Sequence, residues 1–216
     1  MRNLLKSLLS VFVILVSAFV LVQTNLSSVR RRVAGLMTEA VVGCKLTVPL
    51  ATMTLNAYVA PFNTVVAGDT VCIAAGDRVG RLEIKNFRGA AGKPITFINS
   101  GGRVRVDAQR NWTVVYLKNN EHIRFTGTGS TSDTYGFELF NATNTGVNAS
   151  AKTRYIEIDH VEVHDVGGAG ISAKTAFADV QDTNGNGSVR DEWRQYGTYI
   201  HHNWIHGIGT EGMYIG

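Results

Sequence analysis

The stretch from Tyr155 to Ser172 repeats as Gly197 to Tyr214 at a constant offset of 42 residues. In that register Ile158 meets Ile200, His160 meets His202, Val163 meets Ile205 and His164 meets His206. Further on, Gly167 meets Gly209, Gly170 meets Gly212 and Ile171 meets Met213. Each copy alternates apolar and polar residues, turns on glycines and starts another short apolar run. That pattern reads as strand, tight turn and second strand, with no helix between. Such a unit cannot bury its apolar row alone, whereas stacking one copy on the next does so. The repeat therefore predicts an all-β solenoid of short-strand coils.

The rest of the chain extends this reading. Short apolar runs recur at Thr70–Ala74, Leu82–Lys85, Ile95–Ile98, Val104–Val106, Thr113–Leu117, His122–Thr126 and Gly136–Phe140, separated by Gly, Asn and Asp turns. Strands this short, without helical segments between them, exclude a doubly wound α/β sheet. Ahead of them, Arg2 and Lys6 precede an apolar run from Leu8 to Val22, the form of a secretory signal, with an uncleaved N-terminal anchor as the rival. We divide the chain into a leader at 1–29, a linker and N-terminal cap at 30–63 and a solenoid at 64–216. The weak helical pattern from Val33 to Gly43 is a candidate capping helix, and the final coil is expected to be incomplete at its C-terminus, because Gly216 ends a strand without a cap.

Specific stretches carry a family resemblance. Gly68-Asp-Thr-Val-Cys-Ile73, Leu82 to Asn99, Ile156 to His164 and Gly212 to Gly216 resemble coils of secreted right-handed parallel β-helix proteins of the pectate-lyase-like superfamily, nearest the chondroitinase B and alginate lyase branch. The resemblance spans Val65 to Gly216. It implies a right-handed parallel β-helix and an extracellular polysaccharide as partner. It also implies β-elimination next to a uronate carboxylate, with a Lys/Arg pair and calcium neutralising that carboxylate. Lys174, or Lys152 with Arg154, would supply the base, although neither matches a catalytic position of the family. The calcium-binding Glu/Asn cluster of the family's later coils has no visible counterpart here. One fold of this kind hosts lyases, hydrolases and non-catalytic binders.

The residues themselves offer several constellations. His160, His164, His202 and His206 form two vertical pairs, and the even spacing of the two histidines in each strand puts both on one face. A stacked polar ladder, acid–base chemistry and transition-metal ligation are all open to them. Lys174 and Glu211 are further catalytic candidates, and Trp204, Tyr214 and Arg105 are candidate substrate contacts. Between the two copies, Asp182, Asn184 and Asn186 stand at alternate positions before Gly187. Ser188 follows with its carbonyl, and Asp191 stands near the place of the closing carboxylate. That is the first half of a calcium loop, broken at its last position by Trp193.

Charge is uneven. The first 32 residues carry five basic and no acidic side chains, and the remaining 16 basic and 17 acidic residues leave a net of −1. From Arg78 to Arg124 ten Lys/Arg face three acids, a net of +7, and from Phe125 onward five face eleven, a net of −6. One end of the solenoid is expected to be positive and the other negative, a field suited to an anionic polymer. Nothing pairs basic with aromatic residues as nucleic-acid binding would require. Cys44 and Cys72 allow a disulfide, two thiols or, at Val41-Val42-Gly43-Cys44, a lipidation site.

The sequence thus predicts an exported β-helix, monomeric once complete, that binds and cleaves a uronate-containing polysaccharide with calcium. A glycoside hydrolase is the less favoured enzyme, and a non-catalytic carbohydrate-binding or adhesion solenoid is the competing class. The membrane enters only through the leader.

Overall fold

In a computed structural model of the protein, residues 43–175 and 195–216 are described. The capping helix read at 33–43 and the calcium loop with Asp182, Asn184, Asn186, Ser188 and Asp191 lie outside the described residues, apart from Gly43. The chain is a parallel β-helix, and the all-β expectation holds. Its strands are β1 (Leu46–Val48), β2 (Thr54–Asn56), β3 (Thr70–Val79), β4 (Leu82–Lys85), β5 (Ile95–Asp107), β6 (Thr113–Lys118), β7 (Glu121–Thr126) and β8 (Phe137–Ala142). They continue as β9 (Thr145–Ser150), β10 (Arg154–Asp159), β11 (Val161–Val166), β12 (Ile171–Ala173), β13 (Thr198–His201), β14 (Trp204–Ile205) and β15 (Met213–Ile215).

Every named strand pairing is parallel. Three faces result. The first holds β1, the first halves of β3 and β5, then β7, β10 and β13. The second holds the later halves of β3 and β5, then β8, β11 and β14, and the third holds β2, β4, β6, β9, β12 and β15. β3 and β5 run unbroken round the first corner, with a register shift between Ala74 and Gly76. β1 and β2 fall within 30–63, so the first coil starts inside the stretch read as linker and cap.

Inward side chains stack at the same register from coil to coil. Val71, Phe97, Phe125, Ile158 and Ile200 make one column, and Leu82, Val115, Val147, Ile171 and Met213 make another. Up to the fourth coil these positions are buried, each contributing about 1.5–3 kcal/mol. The corners are made by single residues in the left-handed region. His122, Tyr155 and Gly197 (φ 49, 53 and 62°) occupy one corner, His160 and His202 (54 and 51°) the next, and Asn141, Asp165 and Gly207 (63, 52 and 59°) the third. Asn, Asp and His tolerate this region better than other residues with a Cβ. At the corner of His122, just ahead of that residue, the amides of Asn56, Asn86 and Asn119 form a ladder, with Asn119 Nδ2 donating to Asn86 Oδ1 at 2.8 Å and Asn86 Nδ2 to Asn56 Oδ1 at 2.9 Å.

One correction follows from the corners, and one open alternative is resolved by the cysteines. Tyr155 to His164 is two strands bent at His160, so His160 and His164 do not share one face. Cys44 and Cys72 are disulfide-bonded with Cα atoms 5.6 Å apart, which removes Cys44 as a lipidation site and leaves no free thiol among the described residues.

Candidate functional site

The three faces differ in how they use their outward polar groups. On the first face, parallel register places Arg124 beside Glu157 and Thr126 beside Asp159. Arg124 Nε lies 2.8 Å from Asp159 Oδ2 and 3.2 Å from Glu157 Oε1. Thr126 donates to Asp159 at 2.6 Å, and His160 Nδ1 lies 2.6 Å from the same carboxylate. Burial alone would raise the pKa of Asp159, but the hydrogen bonds from Arg124, Thr126 and His160 outweigh it and hold the carboxyl below the ordinary range. His201 Nε2 meets Glu157 at 3.0 Å.

On the second face, Asp77, Arg105, Glu138, Glu162 and Trp204 form one row across successive coils. Arg105 bridges Asp77 at 3.1 Å and Glu138 at 2.7 Å, while Arg103 links Glu138 and Glu162. His164 Nε2 is 3.3 Å from Glu138 and His206 Nε2 is 3.0 Å from Glu162. Glu138, which burial would push up, is held low by Arg105, His164 and Arg103. The histidine rings stack in pairs, His160 on His202 at 5.4 Å between centroids and His164 on His206 at 5.1 Å. The four histidines are therefore two polar ladders at different places on the coil. The expected charge separation is also largely cancelled. Arginines of the basic segment sit one or two coils from the acids of the later segment, and parallel stacking pairs them.

The third face is different. Lys174, Glu211 and Tyr214, three of the sequence candidates, come together at a groove of about 420 Å³ over β9, β12 and β15. The chain reaches this groove through the glycine turns of the repeat. A Cβ at Gly170 would press on Ile205 Cγ2 and on the carbonyl of Gly212, so only glycine lets the adjacent coils close here. Asn148, Ser150 and Ser172 point outward along the floor, and Trp112, 54% exposed, stands at the groove's side. Lys174 Nζ donates to Tyr214 Oη at 2.8 Å and lies 4.8 Å from the ring centroid. Among the described residues Lys174 meets no carboxylate and is the only cationic side chain lining the groove.

Arg105 and Trp204 are thus separated from Lys174 and Tyr214, lying with His164 and His206 on the second face. Sequence reasoning passed over Arg103, Arg124, Glu138, Glu157 and Glu162 as site residues. The 42-residue register aligned Glu162 with Trp204, but it could not reach the arginines, because earlier coils have other lengths.

The Glu157, Asp159 and His201 side chains approach one another closely enough to hold a cation. The donor set does not suit calcium, which takes six to eight oxygen ligands. One donor is an imidazole, and both carboxylates already face Arg124.

No protein-family model matches the chain, and no curated protein matches it. Among solved structures, an alginate lyase from Paenibacillus sp. str. FPU-7 is similar over 79% of this chain, at 16% identity and a TM-score of 0.46. The match spans 64% of that enzyme's length.

Proposed function

We propose that the protein is an exported β-helix that binds an acidic polysaccharide along the β9–β12–β15 groove and cleaves it by β-elimination at a uronate. The observation that carries this reading is the Lys174–Tyr214 pair, an amine and a phenol 2.8 Å apart in an open groove whose other lining residues are neutral apart from Glu211. An isolated cation there faces the polymer rather than a protein carboxylate. The Cys44–Cys72 disulfide supports export, since such bonds persist in oxidising compartments.

Elimination moves the proton on the sugar carbon next to the carboxylate to a base. The electron pair left behind forms a carbon–carbon double bond, and the bond to the glycosidic oxygen breaks as that oxygen takes up a proton. Lys174 pairs with the sugar carboxylate and stabilises the charge that develops on it, while Tyr214, reacting as the phenolate, takes the carbon's proton and passes it to the leaving oxygen. Asn148, Ser150 and Ser172 offer hydrogen bonds to sugar hydroxyls, and Trp112 offers a ring face to a pyranose. Calcium enters no step.

The test incubates the full chain with alginate, pectate, chondroitin sulfate and dermatan sulfate and follows ultraviolet absorbance of the unsaturated uronide. The expected result is a rise on one polymer that Lys174→Ala and Tyr214→Phe each abolish, with retention on that polymer persisting in Tyr214→Phe. Retention without a rise would make the protein a binding solenoid. Unchanged activity in Lys174→Ala would remove the groove as the active site.

A further inference from the structure

Successive side chains of a strand point to opposite faces. His201 ends β13 with its ring on the outer side, so His202 would point away from it if the strand ran on. It does not, because His202 has φ of 51° and its ring swings back toward His201. The two rings stand at 87° with centroids 4.9 Å apart, and their Nδ1 atoms are 2.6 Å from each other.

The other nitrogen of His201 fixes the protonation. Nε2 lies 3.0 Å from Glu157 Oε1, so it carries the proton and donates it to the carboxylate. That leaves the His201 Nδ1 lone pair aimed at His202 Nδ1, with a single proton between them. A carboxylate on the far nitrogen is the arrangement that orients a metal-bound imidazole and raises its basicity.

We propose that His201 and His202 form a two-imidazole site for a divalent transition-metal ion of the copper, nickel or zinc type, ligated by the two Nδ1 atoms. Glu157 is its positioning residue. The ion takes the place of the shared proton, which moves to Nε2 of His202, so both imidazoles stay neutral. Metal–nitrogen bonds of about 2.0–2.1 Å need the ligand atoms roughly 3 Å apart, a small opening for the exposed His202 ring. Water completes the coordination. Asp159 is not a ligand, because Arg124, Thr126 and His160 engage both of its oxygens. His160, parallel to His202 at 5.4 Å and tied to Asp159, walls one side of the site, and Tyr199, 4.3 Å from His201, walls another. Two nitrogen donors select a transition metal over calcium or magnesium.

The experiment is a copper(II) titration of the full chain followed by electron paramagnetic resonance. The expected result is a signal split by two nitrogens in the parent chain. His202→Ala should weaken binding at least roughly tenfold and lose one nitrogen from the splitting, at a position exposed enough to leave the fold intact by circular dichroism. Glu157→Gln should keep the two-nitrogen splitting while binding roughly tenfold more weakly, the size of a typical outer-shell effect. A His164→Ala/His206→Ala variant should match the parent. Parent-like affinity and splitting in His202→Ala, or loss of the two-nitrogen splitting in the His164/His206 variant, would overturn the assignment.

Discussion

Replacing Arg78 with methionine should loosen the first coil and cost about 3–4 kcal/mol. Arg78 is 1% exposed and faces carbonyls rather than acids. Its Nη1 donates to Pro49, Leu50 and Thr52 at 3.0–3.1 Å, and its Nη2 to Val48 at 2.9 Å and Ala74 at 3.3 Å. Three of these five carbonyls belong to the turn between β1 and β2 and a fourth to the last residue of β1, so one guanidinium gathers that turn onto β3. Each charge-assisted bond is worth about 1.5–3 kcal/mol. Against their sum stands the burial of an unpaired cation, several kcal/mol, which also pushes the guanidinium pKa down. Pro49 and Leu50 are exposed enough for water to reach their carbonyls once Arg78 is gone, whereas Val48 is fully buried. The balance is the stated loss. At roughly 2–4 °C per kcal/mol for a chain of this size, Tm should fall by about 10 °C. Urea unfolding of the parent, Arg78→Met and Arg78→Lys checks it, with hydrogen exchange at Val48 and Leu55 reporting the first coil. Lysine, with three donors instead of five, should fall between the two. A loss below about 1 kcal/mol in Arg78→Met would mean that desolvation cancels the hydrogen bonds, and the reasoning would fail.

The remaining predictions concern other joints of the coil. Reducing Cys44–Cys72, or changing both to alanine, should cost about 3.6 kcal/mol from the chain entropy of a 28-residue loop, measured as the shift of the urea midpoint with and without reductant. Asp159→Asn should cost about 2–3 kcal/mol at neutral pH. Because its folded pKa is depressed, the carboxylate's contribution is fully present above its unfolded value near 4 and is lost as pH falls through the folded value. The gap between parent and variant should therefore close when unfolding is measured below about pH 4, and a constant gap would contradict the ion-pair account. Gly170→Ala should destabilise by about 1–3 kcal/mol through contact with Ile205 and Gly212, and thermal unfolding measures it.

What the sequence showed and what it hid divide along one physical line. A copy-to-copy register is visible wherever two coils have the same length between equivalent positions, as His160 and His202 do. The stacked pairs, the apolar columns through Ile158 and Ile200, and the glycine turn at Gly170 and Gly212 were all legible that way. Earlier coils differ. Ile95 pairs with Ile123, Ile123 with Ile156 and Ile156 with Thr198, so the coils measure 28, 33 and 42 residues. Arg124 and Glu157, like Arg105 and Glu138, stand 33 residues apart rather than 42, so the register of the last two coils does not align them. The corner at His160 was missed for another reason. The apolar row moves from even positions (Ile156, Ile158) to odd ones (Val161, Val163) across it, a one-residue shift of phase that reads through as one continuous strand.

The same register argument explains why the groove, rather than the histidine-rich faces, is where chemistry on a polymer belongs. On the first two faces each coil places a charge opposite its complement on the next, Arg124 on Asp159, Arg103 on Glu162, His206 on Glu162. A substrate carboxylate arriving there must displace a partner already held at hydrogen-bond distance, and the carboxyls of buried Asp159 and half-buried Glu138, both held below the ordinary range, repel it. The third face is floored instead by short neutral side chains, Asn148, Ser150 and Ser172, that compete weakly for an anion. Lys174 projects over this floor with a phenol as its hydrogen-bond partner, and a phenol leaves the ammonium's charge uncompensated. An anionic sugar therefore gains a Coulombic contact in the groove without breaking one. Lys174→Glu should accordingly abolish retention on an acidic polysaccharide, whereas Arg105→Glu, on the second face, should leave retention within about twofold of the parent. Affinity electrophoresis in the presence of the polymer reads both, and equal losses in the two variants would place the polymer across the corner instead.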